Sequence, residues 1–489
     1  MKKASFFLVL ALAVALRLCA VYNYGDFWFD EMFSFTYAQK PWIESLTHFW
    51  IWETNPPLYT LVLKVWLYVA PVCEFFVRIP SLLFGVGTVY ILYRWLSHAT
   101  TRHAALLSAF FLALSPYHIF LSATARPYAL LLFLATASTS LLWTTFLQPS
   151  QKTWWYYSVI TILVLYTHFT AWSLVVCHAI LIIVLAKPRF KKWLLACAPA
   201  IAGWLVWAVP SLMAKFHGGG FTGAWYFNLS HHPKDIIIAL QPLLTTYSWW
   251  PLTLIIFLAI CGGSIYVLYK KKYPADNLIL TLLIIQSFLP FLFAGIMGVW
   301  NIKFFVISLP FFVTLVVYLV EKAFSYLPLQ IVILLFLAAP GTFYLLRHNL
   351  PLEDWSTVTN YINTSAPPSS TIFLYNNFVY KNQFDRYYAG SVPAIPYLST
   401  TALNWDQMFI TQNYWRYMPT QEELNAWYNK NNLGRYRDIF ILIDTTVDVN
   451  LRRLVEKHGY VQTSTAFYPR LVIPSPIYHY VKSETITTK

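Results

Sequence analysis

The stretch Asp26-Phe27-Trp28-Phe29-Asp30-Glu31 follows closely on an apolar run over residues 4–23. A second polar island, Asn55-Pro56-Pro57-Leu58-Tyr59, comes next, and most of the remaining sequence up to residue 347 is apolar. Carboxylates placed beside lipid-compatible segments are costly, so an adjacent pair such as Asp30-Glu31 points to a use. A base that activates a hydroxyl at a bilayer surface has this character.

Composition supports a membrane setting. Of 489 residues, 58% are hydrophobic and 11% charged, and mean hydropathy is +0.52. Soluble domains carry about 25% charged residues. The aromatic share of 19% suits membrane interfaces and sugar- or lipid-contacting walls. A net charge of +14 raises the question of nucleic acid. However, the cations gather in short loops such as Lys187-Pro188-Arg189-Phe190-Lys191-Lys192 and Lys270-Lys271-Lys272, the pattern of topology signals, and no nucleic-acid partner is expected. Cys19, Cys73, Cys177, Cys197 and Cys261 lie in or beside apolar segments without CxxC or metal-ligand spacing, and read as small buried hydrophobes.

The predicted fold is a polytopic α-helical membrane protein with about eleven spans of about 20 residues each. They fall at 4–23, 77–96, 104–121, 128–147, 153–170, 171–186, 193–212, 250–269, 277–298, 304–321 and 328–346. Lys2 and Lys3 place the N-terminus in the cytoplasm, and the basic loops then alternate consistently. Residues 57–70 are apolar but short and contain Lys64; counted as a span they would invert every later loop, so 37–72 is read as juxtamembrane helices of the first external loop. Two domains are expected, a transmembrane part over 1–347 and an extracytoplasmic part over 348–489. The second is a small α/β or α+β domain, with a helical stretch over 353–364 and β-like runs at 371–375 and 438–443.

On this topology Asp30, Glu31, Arg126, His168 and Lys303 share one side of the membrane, joined in the fourth external loop by Lys215, His217, His231 and His232. A carboxylate base with several cations suits transfer of a group from a phosphate carrier, the base taking a proton and the cations stabilising the departing phosphate. Pro56-Pro57 also suits the first turn of a helix and marks the fold rather than the chemistry. Arg78 and Lys303 also suit membrane-end anchors.

Several ordered motifs resemble the GT-C superfamily of membrane glycosyltransferases, of the protein-mannosyltransferase and aminoarabinose-transferase type. They are Asp30-Glu31, Asn55-Pro56-Pro57-Leu58-Tyr59, Arg78-Ile79-Pro80-Ser81, Ser122-Ala123-Thr124-Ala125-Arg126-Pro127-Tyr128-Ala129-Leu130, Tyr166-Thr167-His168-Phe169, and Lys303-Phe304-Phe305 through Pro310. The resemblance covers roughly residues 5–320 in order.

It implies a polyprenyl-phosphate sugar donor, chemistry on the extracytoplasmic face and inversion at the anomeric carbon. Asp30 would be the catalytic base and Glu31 its support; Arg126, Lys303 and Arg78 would meet the donor phosphate; Asn55, Tyr59, Tyr128 and His168 would line the substrate site. The acceptor would be a glycan, lipid or protein, and the lipid bilayer a further partner. Thr124 stands where the family often has a carboxylate, and Lys303 where it has Arg, which replaces bidentate phosphate contact by a point charge. No cofactor is implied; a divalent metal is compatible with such chemistry, but no residue pattern supports one and no metal ligand is assigned. The alternative reading is a lipid-linked sugar flippase or other polytopic transporter, which would place ionisable groups near the bilayer midplane. Here they crowd one face.

Overall fold

The computed structural model describes residues 2–47, 55–217, 240–241, 250–270, 274–296, 303, 305–347, 353–365, 368–397, 420–442, 449–468 and 475–483. Two compact units emerge: one of residues 1–23, 38–216 and 221–349, the other of residues 24–37, 217–220 and 350–489.

The first unit is helical. Its elements are α1 (Lys2–Asn23), α3 (Trp42–Thr47), α4 (Leu58–Trp66), α5 (Glu74–Ala99), α6 (Arg102–Leu114), α7 (Pro116–Ser122), α8 (Tyr128–Leu147), α9 (Gln151–Leu165), α10 (Trp172–Ala186), α11 (Phe190–His217), α12 (Trp250–Lys270), α13 (Pro274–Ile296), α14 (Leu309–Ala323) and α15 (Leu327–Arg347); α2 (Phe29–Gln39) begins in the second unit. Helices are the economical answer for these apolar runs, because each satisfies its backbone internally. α5 packs along α1, α6 and α8, and α14 is buried on all sides from Leu309 to Tyr318.

Among the described residues, eight helical stretches are long and apolar enough to cross a membrane, or up to nine with the bent α6–α7 pair counted as one. The chain is an integral membrane protein. The predicted span 171–186 and all but the last two residues of 193–212 fall within a single 42-residue stretch, Phe169–Pro210. The predicted span 153–170 differs: α9 has 15 residues, about 22 Å at 1.5 Å each. In the first loop α4 has nine residues, about 14 Å long and too short to cross, as its reading as a juxtamembrane helix expected.

The predicted span 104–121 is not one straight helix but bends by 64° between α6 and α7. Pro116 has no N–H, and Ser115 caps the new helix by accepting from His118 N at 3.4 Å. The break leaves carbonyls at the end of α6 short of helical partners, with Leu112 O accepting Ser115 N at 3.2 Å. Arg17, fully buried in α1, donates to Ala113 O at 3.2 Å and Leu112 O at 3.4 Å, and also to Ser122 Oγ at 3.3 Å. Thr342 Oγ1 takes Leu114 O. A lone charge near the end of a span thus has a structural task here.

The second unit contains a five-stranded sheet of β1 (Thr371–Asn376), β2 (Ala394–Tyr397), β3 (Asp438–Leu442), β4 (Tyr460–Tyr468) and β5 (Ser475–Lys482), in the order β2-β1-β3-β5-β4. β1 pairs in parallel with β2 and β3, and β5 runs antiparallel to β3 and β4. Alternate side chains serve opposite faces. Ile372, Leu374, Ile439 and Ile441 pack with Leu424 and Tyr428 of α18 (Gln421–Lys430) and Leu451, Leu454 and Val455 of α19 (Val449–Lys457). Phe373, Tyr375, Phe440 and Leu442 pack with Trp355, Val358 and Ile362 of α16 (Trp355–Ser365) and Phe384 of α17 (Asn377–Tyr387). The expected β runs become β1 and β3, and the expected helix becomes α16.

Gly85 tests the tightness of the first unit. A Cβ there would lie 2.0 Å from Ser122 Oγ, on the hydroxyl that receives Arg17. Gly85→Ala should destabilise the protein by about 1–3 kcal/mol, read as a lowered melting temperature of the detergent-purified chain; an unchanged melt would contradict this packing.

Candidate active site

In the first unit, motifs scattered over more than a hundred residues of sequence meet. Leu58 N donates to Tyr166 O at 3.0 Å, joining the Pro56-Pro57 stretch to the Tyr166-Thr167-His168 stretch. Tyr59 Oη lies 2.8 Å from Ser81 Oγ, and Ser81 Oγ donates to Arg126 O at 3.5 Å. Tyr128, the first residue of α8, places its ring 5.3 Å from that of His168. His168 accepts Thr170 N through Nδ1 at 3.2 Å, which fixes the ring at the start of the short 3-10 turn Phe169–Ala171. Arg126 and Lys303 are the cations acting electrostatically on His168.

Asn55, Tyr59, Arg78, Arg126, Tyr128 and His168 are all buried, and Lys303 is half-buried. Arg78 lies one turn ahead of Ser81 on α5. The expected donor-site residues Tyr59, Arg126, Tyr128, His168 and Lys303 therefore form one neighbourhood, with Arg78 attached through α5 and Asn55 through the chain leading into α4. Buried cations in a low-dielectric wall attract an anion strongly. Lys215 and His217 fall at the end of α11, in side chains outside the description, and His231 and His232 lie outside the described residues.

Asp30 and Glu31 belong to the second unit. α2 starts at Phe29 and puts both in its first turn, where exposed amides and the helix dipole favour negative side chains. Glu31 is fully buried, and Asp30 is half-buried. Two loops hold this turn by exchanging carboxylates. Phe29 N donates to Glu353 Oε1 at 2.8 Å, and Trp355 Nε1 donates to Glu353 Oε2 at 2.5 Å. In return, Ser356 N in the first turn of α16 donates to Asp26 Oδ2 at 2.7 Å, and Ser356 Oγ to Asp26 Oδ1 at 2.9 Å. Asp354 completes the α16 cap by accepting Thr357 N at 3.1 Å. Phe27 N donates to Tyr387 Oη at 2.7 Å, and the Arg386 guanidinium sits 5.0 Å from the Phe27 ring and 4.9 Å from the Phe35 ring.

Burial pushes the Glu353 carboxyl up to about 8, against the pull of its bonds from Trp355 and Phe29, with the Asp30 and Glu31 charges raising it further. Sequence reasoning did not single out Glu353. Its only local sign is an acidic pair ahead of Trp355, with Val358, Thr359 and Ile362 at helical spacing; nothing local ties it to Phe29. Among the described residues, no group of three or more His, Cys, Asp or Glu side chains is arranged to hold a metal.

Comparison with known proteins agrees with this architecture. Residues 54–213 match the family model described as dolichyl-phosphate-mannose-protein mannosyltransferase. The fold is similar to that of ArnT from Cupriavidus metallidurans in the apo state, with TM-score 0.59 and 11% identity over 98% of each chain. The same protein bound to undecaprenyl phosphate aligns with TM-score 0.59 and 11% identity over 97% of each chain. The oligosaccharyltransferase of Archaeoglobus fulgidus in its apo form gives 0.52 at 10% identity, over 90% of this chain and 69% of that one. No curated protein matches the sequence. The fold is thus similar to that of ArnT and of the archaeal oligosaccharyltransferase, and the mannosyltransferase family model matches about a third of the chain.

Two outcomes test the carboxylate exchange. Asp26→Ala should weaken the α16 start by about 1–2 kcal/mol, seen as faster hydrogen exchange over residues 355–365. Glu353 holds its proton more tightly folded than unfolded. Its stabilising contribution is thus complete below its unfolded value near 4.5 and is lost as pH rises through about 8. That slope in exchange protection of the second unit should be absent in Glu353→Gln.

Proposed function

We propose that this protein moves one sugar from a polyprenyl-phosphate donor to an acceptor hydroxyl on the extracytoplasmic face, with inversion at the anomeric carbon. The observation that carries the proposal is the convergence of Tyr59, Arg126, Tyr128, His168 and Lys303 in one buried neighbourhood of a GT-C fold. Arg126, Lys303 and Arg78 hold the donor phosphate and stabilise the charge that grows on it as the glycosidic bond breaks. Tyr59, Tyr128, Asn55 and His168 shape the wall against the sugar and phosphate.

Asp30 takes the proton of the acceptor hydroxyl, whose oxygen attacks C1 from the side opposite the phosphate. The pair leaves as polyprenyl phosphate and glycosylated acceptor. Glu31 supports the base. The comparison with a protein crystallised with undecaprenyl phosphate supports that class of carrier. In this reading residues 1–347 supply the catalytic membrane domain with its N-terminus in the cytoplasm, and 348–489 an extracytoplasmic domain that influences the choice of glycan, lipid or protein acceptor. Because residues 353–356 hold the Asp30 segment, removing the C-terminal part would disturb the base as well as acceptor choice.

Asp30→Asn should lower transfer from radiolabelled polyprenyl-phosphate mannose or aminoarabinose by about 100-fold or more with normal protein levels; transfer equal to wild type removes Asp30 from the chemistry. Arg126→Gln should weaken binding of undecaprenyl phosphate by about 10- to 100-fold, measured by titration of the purified protein; unchanged binding would exclude Arg126 from the phosphate site.

A further inference from the structure

We propose that Glu353 is a positioning residue for Asp30, its carboxyl group anchoring the first turn of α2 through the Phe29 amide. The inference rests on the reading of Asp30 as the base. The group is fully buried, and it bonds Phe29 N, the residue directly before Asp30, and the indole of Trp355, itself fully buried. Moving the Glu353 side chain would therefore free the peptide that carries the base.

A carboxyl group shut away from water beside other carboxyls is costly to ionise. The ionisation of Glu353 is opposed first by burial and then by Asp30 and Glu31. Charged and titratable groups on the surrounding elements are Asp26, Asp30 and Glu31 on the α2 side, Asp354 beside it, and Asp385, Arg386 and Tyr387 on α17. The Arg386 guanidinium lies over the rings of Phe27 and Phe35. When Glu353 loses its proton, a negative charge appears in a buried place beside Asp30 and Glu31, and the α2 start loosens. Neutral Glu353 is the productive form.

The test uses the full chain in lipid nanodiscs, with transfer from polyprenyl-phosphate mannose or aminoarabinose followed at pH 7 and pH 9. One proton lost near pH 8 should lower the wild-type rate about tenfold across this range. Glu353→Gln keeps an oxygen for the Phe29 amide and cannot ionise, so its rate should be level across the same range, whatever its absolute size. Trp355→Phe removes a donor that favours the anion and should move the fall to higher pH. The same fall in wild type and Glu353→Gln overturns the proposal, and so does a level wild-type profile.

A readout independent of activity is hydrogen exchange over residues 27–31, corrected for intrinsic rates. It should quicken from pH 7 to pH 9 in wild type and stay unchanged in Glu353→Gln; unchanged exchange in both overturns the proposal. If Asp30→Asn retains full transfer while this exchange pattern holds, the base assignment has failed and the anchoring of α2 has not. Loss of transfer in Asp30→Asn together with identical profiles for wild type and Glu353→Gln means the reverse.

Discussion

A backbone amide or carbonyl shut away from water must find its partner inside the protein, and this constraint organises both units. In the helical unit the demand peaks where Pro116 interrupts a span. The carbonyls stranded at the end of α6 are collected by Arg17 and Thr342, so a charge that would be expensive alone becomes the joint between α1, α6 and α7. Gly85 supplies the room: its missing Cβ is where Ser122 reaches Arg17. In the second unit the same demand arises at two helix starts. Glu353 and Asp26 answer it by crossing over, each capping the helix that begins beside the other.

The exchange of caps has a chemical by-product. Capping α2 with a carboxylate places Glu353 among Asp30 and Glu31, and crowding in a poorly solvated place raises its proton affinity. A residue recruited for backbone satisfaction thereby becomes an ionisable neighbour of the proposed base. The donor side follows a complementary logic. Arg126 and Lys303 reach His168 electrostatically, while Tyr59, Ser81 and the Arg126 carbonyl tie the second, third and fourth motif stretches together with no net charge spent. The neutral contacts place the backbone that carries Arg126.

Much of this was legible in the chain. Apolar runs marked the helices, short length and Lys64 marked α4 as a non-spanning helix, and the parallel strands β1 and β3 showed as short runs rich in isoleucine, leucine and phenylalanine. Strands β4 and β5 were harder to see because their polar faces interrupt the apolar pattern, as in Gln462, Thr463 and Ser464. The bend at Pro116 was written in the sequence as Ser115-Pro116, yet hydropathy averages across it, so 104–121 read as one span. The motif residues around Tyr59, Arg126, Tyr128 and His168 were identifiable because they fall, in order, in stretches that resemble the motifs of a known family.

By itself the sequence determined that the chain lives in a membrane and that the polar residues of its apolar part cluster in a few short stretches, among them Asp30-Glu31. These follow from composition and local propensity, which act over one or two turns. Only the tertiary structure decided that Leu58 meets Tyr166, that Arg17 serves α6, and that Glu353 holds Phe29. Each joins residues about a hundred or more positions apart through a hydrogen bond whose partner is a backbone atom. A backbone amide or carbonyl is the same at every position, so no side-chain pattern announces which one will be met, and the pairing emerges only when the helices pack.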